Sequence, residues 1–162
     1  MDQPPRNEPS RNEPRNEPRN EPRIETVRVL IEVPRGSHLK REWRTTAWGG
    51  RLVLEYVSPI PSPFNYGCVL DRRADDGDPA DAVVLGPQHA AGTEVIAAIR
   101  GVVRFTDAGL DDPKLICAGS TVDARSRMQV ERFFRRYAIA RGWLNRMQGK
   151  PGETAFVGLE WG

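Results

Sequence analysis

The chain of 162 residues carries a formal net charge of +2 and only two cysteines, and its length fits one modest domain. So small a charge argues against nucleic acid or a membrane surface as a partner, and two cysteines cannot build a disulfide framework. No stretch approaches the roughly 20 apolar residues of a membrane span, and no apolar signal-peptide segment follows Met1, so we expect a cytoplasmic protein with reduced thiols.

The beginning of the chain repeats the tetrapeptide Arg-Asn-Glu-Pro in four copies. A proline at every fourth or fifth position and almost no apolar side chains leave too little buried surface to offset the entropy lost on ordering. The arginines of this segment are balanced by an equal number of acidic residues, which makes it a poor anchor for a polyanion. We predict a disordered tail over residues 1–23 and one folded domain over residues 24–162.

The folded part begins with a strand. Apolar residues alternate over residues 26–33, which predicts a half-buried strand that Pro34 and Gly36 end. Three prolines within residues 59–67 exclude a central strand or a helix and predict a rigid, extended loop. Further strands are predicted at 51–57, 81–86, 95–105, 114–118 and 154–161. Within the long run 95–105, Gly101 predicts a bulge or a sharp bend.

One helix is predicted, from Ala124 to about Ala140. Its apolar positions follow the spacing i, i+3, i+4 and i+7 of one helical face. They are Val130, Phe133, Phe134 and Tyr137. Many short strands with one helix, and no alternation of strands and helices, predict an α+β protein built on an antiparallel OB-like β-barrel with one main flanking helix.

Acidic residues crowd the entry to the strand at 81–86, where they should repel one another. They are Asp75, Asp76, Asp78 and Asp81, and Asp107 and Asp112 follow the long strand. Any one of these acids could lie in a solvated turn. Together the later acids favour a cation site instead: Asp76, Asp78, Asp81, Asp107 and Asp112, with Glu32 and Glu42. Carboxylates without histidine or cysteine are typical of a hard ion such as Mg²⁺ or Mn²⁺.

Six segments carry a resemblance to a known family. In chain order they are IEVPRGSHLKRE, GGRLVLEYVSPIPSPFNYG, DDGDPADAVVL, GTEVIAAIRGVVRFTDAGLDDPKLICA, FFRRY and FVGLEW. They cover essentially all of residues 30–161, and the combination of PxNYG with DGDPxD is the most specific feature. On these motifs the chain resembles the soluble, Mg²⁺-dependent inorganic pyrophosphatases, as a divergent and shortened member.

The resemblance implies a function and a set of site residues. The implied reaction is hydrolysis of inorganic pyrophosphate to two phosphates by a metal-activated water, in a protein that can be a homo-oligomer. Asp78 resembles the residue that takes the proton from the attacking water. The implied metal ligands are Asp76, Asp81, Asp107, Asp112, Glu32 and Glu42. The implied phosphate-binding residues are Lys40, Tyr66, Lys114 and Tyr137.

Four positions depart from the usual pattern of this family. An arginine and a lysine that bind phosphate are usual where Tyr56 and Ala138 stand; a tyrosine is usual at Ser62 and an acid at Ala108. A charged hydrogen bond contributes about 1.5–3 kcal/mol, so these losses would weaken the hold on one phosphate. Nearby arginines are candidates to compensate: Arg51, Arg136 and Arg141.

Three hypotheses therefore stay open. The first is an Mg²⁺-dependent inorganic pyrophosphatase, which the acid set favours. The second is a divergent metal-dependent hydrolase of an organic phosphate or phosphoanhydride, because Tyr56 and Ala138 leave an uncharged space beside the phosphate site. The third is a non-catalytic phosphate- or partner-binding relative that docks through its tail. The presence of Asp78 argues against the third, because a binding protein needs no proton acceptor.

Overall fold

The structure is a computed structural model that describes residues 24–47, 49–75 and 77–162. The prediction of a disordered tail over residues 1–23 lies outside the described residues, as does the predicted metal ligand Asp76. In the described part of the chain there are nine strands and one helix. They are β1 (Thr26–Val33), β2 (Leu39–Thr46), β3 (Gly49–Val57), β4 (Asn65–Arg73), β5 (Pro79–Leu85), β6 (Glu94–Asp107), β7 (Leu110–Asp111), β8 (Lys114–Ala118), α1 (Ala124–Met147) and β9 (Ala155–Trp161).

Five strands close into a barrel in the order β1, β4, β5, β8 and β6, because β6 pairs with β1 again. Four of these five pairings are antiparallel, but β5 and β8 run parallel, with Asp81 opposite Lys114. The predicted OB-like barrel with one flanking helix is therefore confirmed, whereas its sheet is mixed and not wholly antiparallel. The reason is the chain path: β6 turns back through β7, so β8 returns beside β5 in the same direction.

The apolar residues divide between the two faces of the barrel wall. One cluster comes from all five barrel strands and fills the interior: Val27, Val29, Ile31, Val69, Ala80, Ala82, Val84, Ala97 and Cys117. The other lies between the barrel and α1: Phe64, Val83, Val103, Phe105, Ile116, Val130, Phe134 and Ala138. Burial of each large apolar side chain stabilises the fold by about 1.5–3 kcal/mol. Both faces of β5 are thus buried, which explains its unbroken apolar run.

Side-chain alternation along the strands places the charged residues. Ile116 and Phe105 point toward α1, and residues two positions away on the same strand point to the same face. Lys114 precedes Ile116 by two, and Asp107 follows Phe105 by two. Asp81 likewise precedes Val83 by two. Three charged residues from three strands therefore lie on the helix-facing side of the barrel.

Helix α1 begins where it was predicted and ends later. Asp123 caps its first turn, because a carboxylate oxygen accepts a hydrogen bond from the Ser126 N–H at 2.7 Å. The predicted end at Ala140 was too early, since the buried polar residue Asn145 interrupts the apolar pattern of a helix that runs to Met147. Within the described residues, no helix combines the length and hydrophobicity that crossing a membrane would require.

Three strands were not predicted, and one of them, β7, has only two residues, too few to show a pattern. β2 is largely exposed and charged and pairs only with β3, in a separate hairpin, so it lacks a buried face that a pattern could reveal. β4 begins at Asn65, inside the predicted loop 59–67, and carries Gly67, where a Cβ would collide with the Leu30 carbonyl. The remaining strands agree with prediction within two residues at each end. The pairing of β6 with β8 shifts register between Ile99 and Gly101, which confirms the predicted bulge.

Candidate active site

A buried lysine shared by two carboxylates lies at the start of β8. The side chain of Lys114 is 4% exposed, and its Nζ donates to Asp81 Oδ2 at 2.7 Å and to Asp112 Oδ1 at 2.8 Å. Burial alone would lower the pKa of Lys114, but the charges of Asp81 and Asp112 outweigh it and raise that pKa. The ammonium is therefore held in its charged form between the two acids.

Aromatic rings enclose this ammonium. Nζ of Lys114 lies 5.9 Å from the ring centres of both Tyr66 and Phe105. Burial, followed by the charge of Asp81, raises the pKa of the Tyr66 phenol well above its ordinary value, and the phenol is hydrogen-bonded to the Asp81 carboxylate. Tyr66 therefore keeps its proton and serves as a donor at neutral pH.

The acids around Lys114 carry more negative charge than one ammonium offsets. Burial raises the pKa of Asp112, the charge of Lys114 opposes this, and the charges of Asp81 and Asp107 add to the rise. The side chains of Asp81 and Asp112 are 34% and 35% exposed, so a ligand can reach them from solvent. This pair is consequently open to an additional cation.

Glu32 adds a further acid from the irregular part of β1, where the pairing with β4 shifts register. Its Oε1 accepts a hydrogen bond from the Trp43 N–H at 2.6 Å, which ties the barrel to the β2–β3 hairpin. Burial, with the charge of Asp81, raises the pKa of Glu32 to about 7. The Cys68 thiol is hydrogen-bonded to Glu32, and burial raises the pKa of that thiol to about 12. Glu42 is exposed and accepts from Arg44 Nε at 3.0 Å.

Asp107 has a different set of partners. Its Oδ2 accepts from Arg141 Nε at 3.0 Å, and its Oδ1 accepts from Asn145 Nδ2 at 2.6 Å and from Thr154 Oγ1 at 3.2 Å. Burial tends to raise the pKa of Asp107, but the Asn145 hydrogen bond and the Arg141 charge outweigh it and lower that pKa. Both carboxylate oxygens are therefore already occupied by donors of this chain.

Beyond Arg141 lies a cavity of about 390 Å³. Its lining residues come from β3, α1 and the turn after α1: Glu55, Tyr56, Arg141, Leu144, Gln148 and Lys150. Lys40 pairs with Tyr56 across the β2–β3 hairpin, and burial lowers the pKa of Lys40. Tyr137 packs on Phe105, with the two ring centres 5.6 Å apart, and burial raises the pKa of the Tyr137 phenol to about 12.

The remaining predicted positions have separate settings. Asp78 is exposed in the turn before β5, where its carbonyl accepts from the Ala74 N–H at 2.8 Å. Ser62 is buried and its Oγ donates to the Phe64 carbonyl at 2.7 Å, so it stabilises the loop. Ala108 lies in the β6–β7 turn with φ 49°, and Ala138 packs in the core between barrel and helix. The other two candidate arginines, Arg51 and Arg136, are exposed and do not line the cavity.

Sequence reasoning named Arg141 only as one of three candidate arginines and missed Asn145 and Thr154. Tyr137, Arg141 and Asn145 are spaced by four residues, which places them on one face of a helix that continues past Ala140. The spacing of Tyr137 and Arg141 was the reason for naming Arg141 as a candidate. It was not extended to Asn145, because the helix was predicted to end at about Ala140.

A divalent metal ion such as Mg²⁺ needs several oxygen ligands that point to one place. Within residues 24–47, 49–75 and 77–162, no three histidine, cysteine or acidic side chains converge as a ready metal cage. Asp81 and Asp112 nevertheless fit such an ion, because they offer partly exposed oxygen ligands with an excess of negative charge. Asp107 does not fit in this arrangement, because Arg141, Asn145 and Thr154 occupy both of its oxygens.

The chain is similar to a family of known enzymes. A family profile described as inorganic pyrophosphatase matches residues 29–154. The inorganic pyrophosphatase of Gluconobacter oxydans is 37% identical over 94 residues, or 56% of this chain and 53% of the relative. That of Streptomyces coelicolor is 31% identical over 122 residues, or 67% of this chain and 75% of the relative. The chain spans little more than half the length of the first of these relatives.

Solved structures show the same architecture. The crystal structure of the inorganic pyrophosphatase from Thermus thermophilus superposes with a TM-score of 0.71 at 25% identity, covering 87% of this chain and 85% of that chain. The mixed barrel with its flanking helix is thus the arrangement shared with that protein.

Proposed function

This chain belongs to the inorganic pyrophosphatase family, and on that basis we propose that it hydrolyses inorganic pyrophosphate to two phosphates with Mg²⁺, or Mn²⁺, as cofactor. One observation carries the proposal: the buried ammonium of Lys114 joins two partly exposed aspartates from separate parts of the chain. Both acids can be reached from solvent, so they suit a site that receives cations and phosphate together.

In this proposal the acids hold the metal and handle the proton. Asp81 and Asp112, with Asp76, supply carboxylate oxygens, and Glu32 and Glu42 hold more distant ions through their waters. A bound divalent ion lowers the pKa of a coordinated water and offsets the phosphate charge. Asp78 is the group that accepts the proton of the attacking water. Asp107 contributes to this set only if its partners release it.

The cationic and phenolic groups bind the substrate. Lys114 stays charged at neutral pH and Tyr137 stays protonated, so both can donate to phosphoryl oxygens, and Tyr66 can do so once its phenol turns away from Asp81. Such donors stabilise the negative charge that accumulates on the leaving phosphate. Lys40, on the β2–β3 hairpin, is the fourth member of this group.

A second candidate substrate is an organic phosphoanhydride. The cavity beside Tyr56 and Leu144 has a volume of about 390 Å³, which falls in the range of roughly 300–1,000 Å³ typical of small-molecule sites. An organic group attached to the departing phosphate would find apolar and aromatic contacts there.

We further propose that residues 24–162 act as one catalytic domain in the cytoplasm and can assemble as a homo-oligomer. The free thiols of Cys68 and Cys117 support a reducing compartment.

The test is phosphate release by the full chain from pyrophosphate, and in parallel from ADP, with Mg²⁺ and with EDTA. We expect Mg²⁺-dependent release from pyrophosphate. Asp78→Asn should reduce turnover on the order of 100-fold or more while Mg²⁺ uptake, measured by calorimetry, is retained. Asp75→Asn, in the same exposed turn, is the matched control and should keep turnover.

The outcomes separate the candidates. Release from ADP in preference to pyrophosphate would select the organic substrate. No release from either at micromolar enzyme would exclude a hydrolase of this type and leave a binding protein.

A further inference from the structure

Arg141 is held in a fixed orientation by a carboxylate that is itself fixed. Its Nε and Nη2 both lie 3.0 Å from Asp107 Oδ2, while Asn145 and Thr154 hold Asp107 Oδ1. The Arg141 side chain is 20% exposed, so it is largely packed but still accessible to a ligand. A guanidinium fixed on one side loses little entropy when another anion binds to it.

The same guanidinium lines the cavity of about 390 Å³ described above. The turn that ends α1 brings Lys150 into the lining of this cavity. Gly149, at φ 68°, turns the chain, and the Lys150 N–H donates to the Asn145 carbonyl at 2.9 Å while the Gly149 N–H donates to the Arg146 carbonyl at 3.1 Å. This pair of bonds is the Schellman motif, which fixes Lys150 next to the helix end.

The cavity is therefore suited to an anion. Arg141 and Lys150 bring two positive charges, Glu55 brings one negative charge, and Tyr56 brings a hydroxyl. Glu55 and Lys150 are exposed, whereas Tyr56 and Arg141 are partly buried, so the Arg141 guanidinium is the least hydrated charge of the cavity. The paired N–H donors of an arginine bind a phosphoryl group with more geometric specificity and more strongly than a single point charge does.

We infer that Arg141 binds one phosphoryl group of the substrate, with Lys150 and Tyr56 completing this subsite. Nothing in the acid cluster around Lys114 requires this role. The inference rests on the proposed function for the identity of the ligand, and it adds a cation from α1 to the groups that bind phosphate. Asp107 then acts as a positioning residue, because it orients Arg141 and does not itself contact the phosphoryl group.

The opposing view is that Arg141 only neutralises Asp107. The two views differ in a binding measurement. A structural partner would change the free energy of unfolding when replaced, with ligand affinity unaltered in the folded fraction. A phosphoryl-binding arginine would change the affinity for a phosphorylated ligand and the KM.

The experiment measures binding of methylenediphosphonate, a pyrophosphate analogue that is not hydrolysed, to the full chain with Mg²⁺ by calorimetry. Arg141→Met should weaken its binding on the order of 10- to 100-fold, the loss expected for a charged hydrogen bond. Arg141→Lys should recover part of this, because it keeps the charge without the paired donors. Arg132→Met, an exposed arginine on the same helix, is the matched control and should bind normally.

Lys150→Met supplies a second variant that leaves the Asp107 contacts intact, and it should weaken the same binding by a smaller factor. The inference is overturned if Arg141→Met and Arg132→Met bind the analogue equally well, or if the unaltered chain binds none. Parallel KM values for pyrophosphate and ADP decide which half of the substrate occupies the subsite: a KM increase for ADP alone assigns it to the organic phosphoanhydride.

Failure of the inference can be told from failure of the proposed function. Hydrolysis without any dependence on Arg141 overturns the inference alone. Analogue binding that depends on Arg141, in a chain that releases no phosphate, supports the inference and overturns the proposed hydrolysis.

Discussion

The acids on the helix-facing side of the barrel form two groups, Asp107 alone and Asp81 with Asp112, and the two groups differ in how their negative charge is balanced. Asp107 accepts hydrogen bonds from Arg141, Asn145 and Thr154, and its pKa is lowered in spite of its burial. Asp81 and Asp112 divide one ammonium between them, and the pKa of Asp112 is raised by burial in spite of Lys114. The two groups are close enough for the charge of Asp107 to raise the pKa of Asp112.

The difference separates a completed ion pair from an incomplete one. A carboxylate with matched donors contributes to stability and has little to gain from a further cation. Two carboxylates that share one cation remain mutually repulsive, and a divalent ion relieves that repulsion. The same residue type, a few residues apart in sequence, thus has two electrostatic environments that differ only in the partners of the carboxylate.

The largest expected effect comes from removing the shared cation. Lys114→Met should lower the free energy of unfolding in EDTA by about 4 kcal/mol, because two partly buried carboxylates lose their common partner. Mg²⁺ should restore more of the lost stability in this variant than it adds to the unaltered chain, since it replaces the missing charge. Urea unfolding with EDTA and with Mg²⁺ measures both quantities.

Lys150→Met is the matched control for this change, because Lys150 is exposed and should alter stability by no more than about 0.5 kcal/mol. If Mg²⁺ raised the free energy of unfolding by the same amount in Lys114→Met and in the unaltered chain, the acids around Lys114 would not be an incomplete ion pair that lacks a cation.

The next effect is the pH dependence of stability in the metal-free protein. Glu32 stands beside the incomplete group, and its pKa is raised from 4.5 to about 7. The folded state therefore keeps a proton that the unfolded chain has lost, so this contribution is present below pH 4.5 and is lost as pH rises through 7. In EDTA, the free energy of unfolding should fall on the order of 2 kcal/mol between pH 5 and pH 8 from this residue.

Glu32→Gln should remove most of that fall, because an amide keeps the Trp43 hydrogen bond and does not ionise. Glu153→Gln, at an exposed position, should leave the fall in the free energy of unfolding between pH 5 and pH 8 unchanged. If Glu32→Gln shows the same pH profile as the unaltered chain, Glu32 is not protonated in the folded state and the acids near Asp81 are better compensated than their burial indicates.

Much of the barrel could be predicted from local patterns. β1 and β8 have unbroken or alternating apolar residues, and both were predicted with their observed ends. β2 could not be predicted, because it pairs with one strand only and stays largely exposed. The parallel pairing of β5 with β8 depends on the path of the chain between them, which periodicity does not encode.

The candidate site was predictable to the extent that the family motifs specified it. Asp81, Asp112, Lys114 and Tyr66 were inferred by resemblance, and the fold brings them together. The roles assigned to them remain predictions, as does the role of Asp78. The partners of Asp107 were missed because they depend on tertiary contacts between β6, α1 and the segment before β9, and none of them forms a motif.

The smallest expected effect tests the completed ion pair through one of those missed residues. Asn145→Ala should lower the free energy of unfolding at pH 7 by about 1.5 kcal/mol, since Asp107 loses its shortest hydrogen bond. The folded pKa of Asp107 lies below 3.8, so its contribution is present above pH 3.8 and lost as pH falls through the folded pKa.

The difference in free energy of unfolding between Asn145→Ala and the unaltered chain should therefore narrow as the pH falls below 3.8 and through the folded pKa of Asp107, because Asp107 then becomes protonated in both. Asn65 provides the matched control: it is equally buried, but its side chain bonds only to backbone groups of Arg35, His89 and Pro87 and of β5. Asn65→Ala should thus be destabilising by an amount that does not narrow in acid. Parallel, pH-independent losses in the two variants would mean that Asn145 supports packing alone and that Arg141 suffices to hold Asp107 ionised.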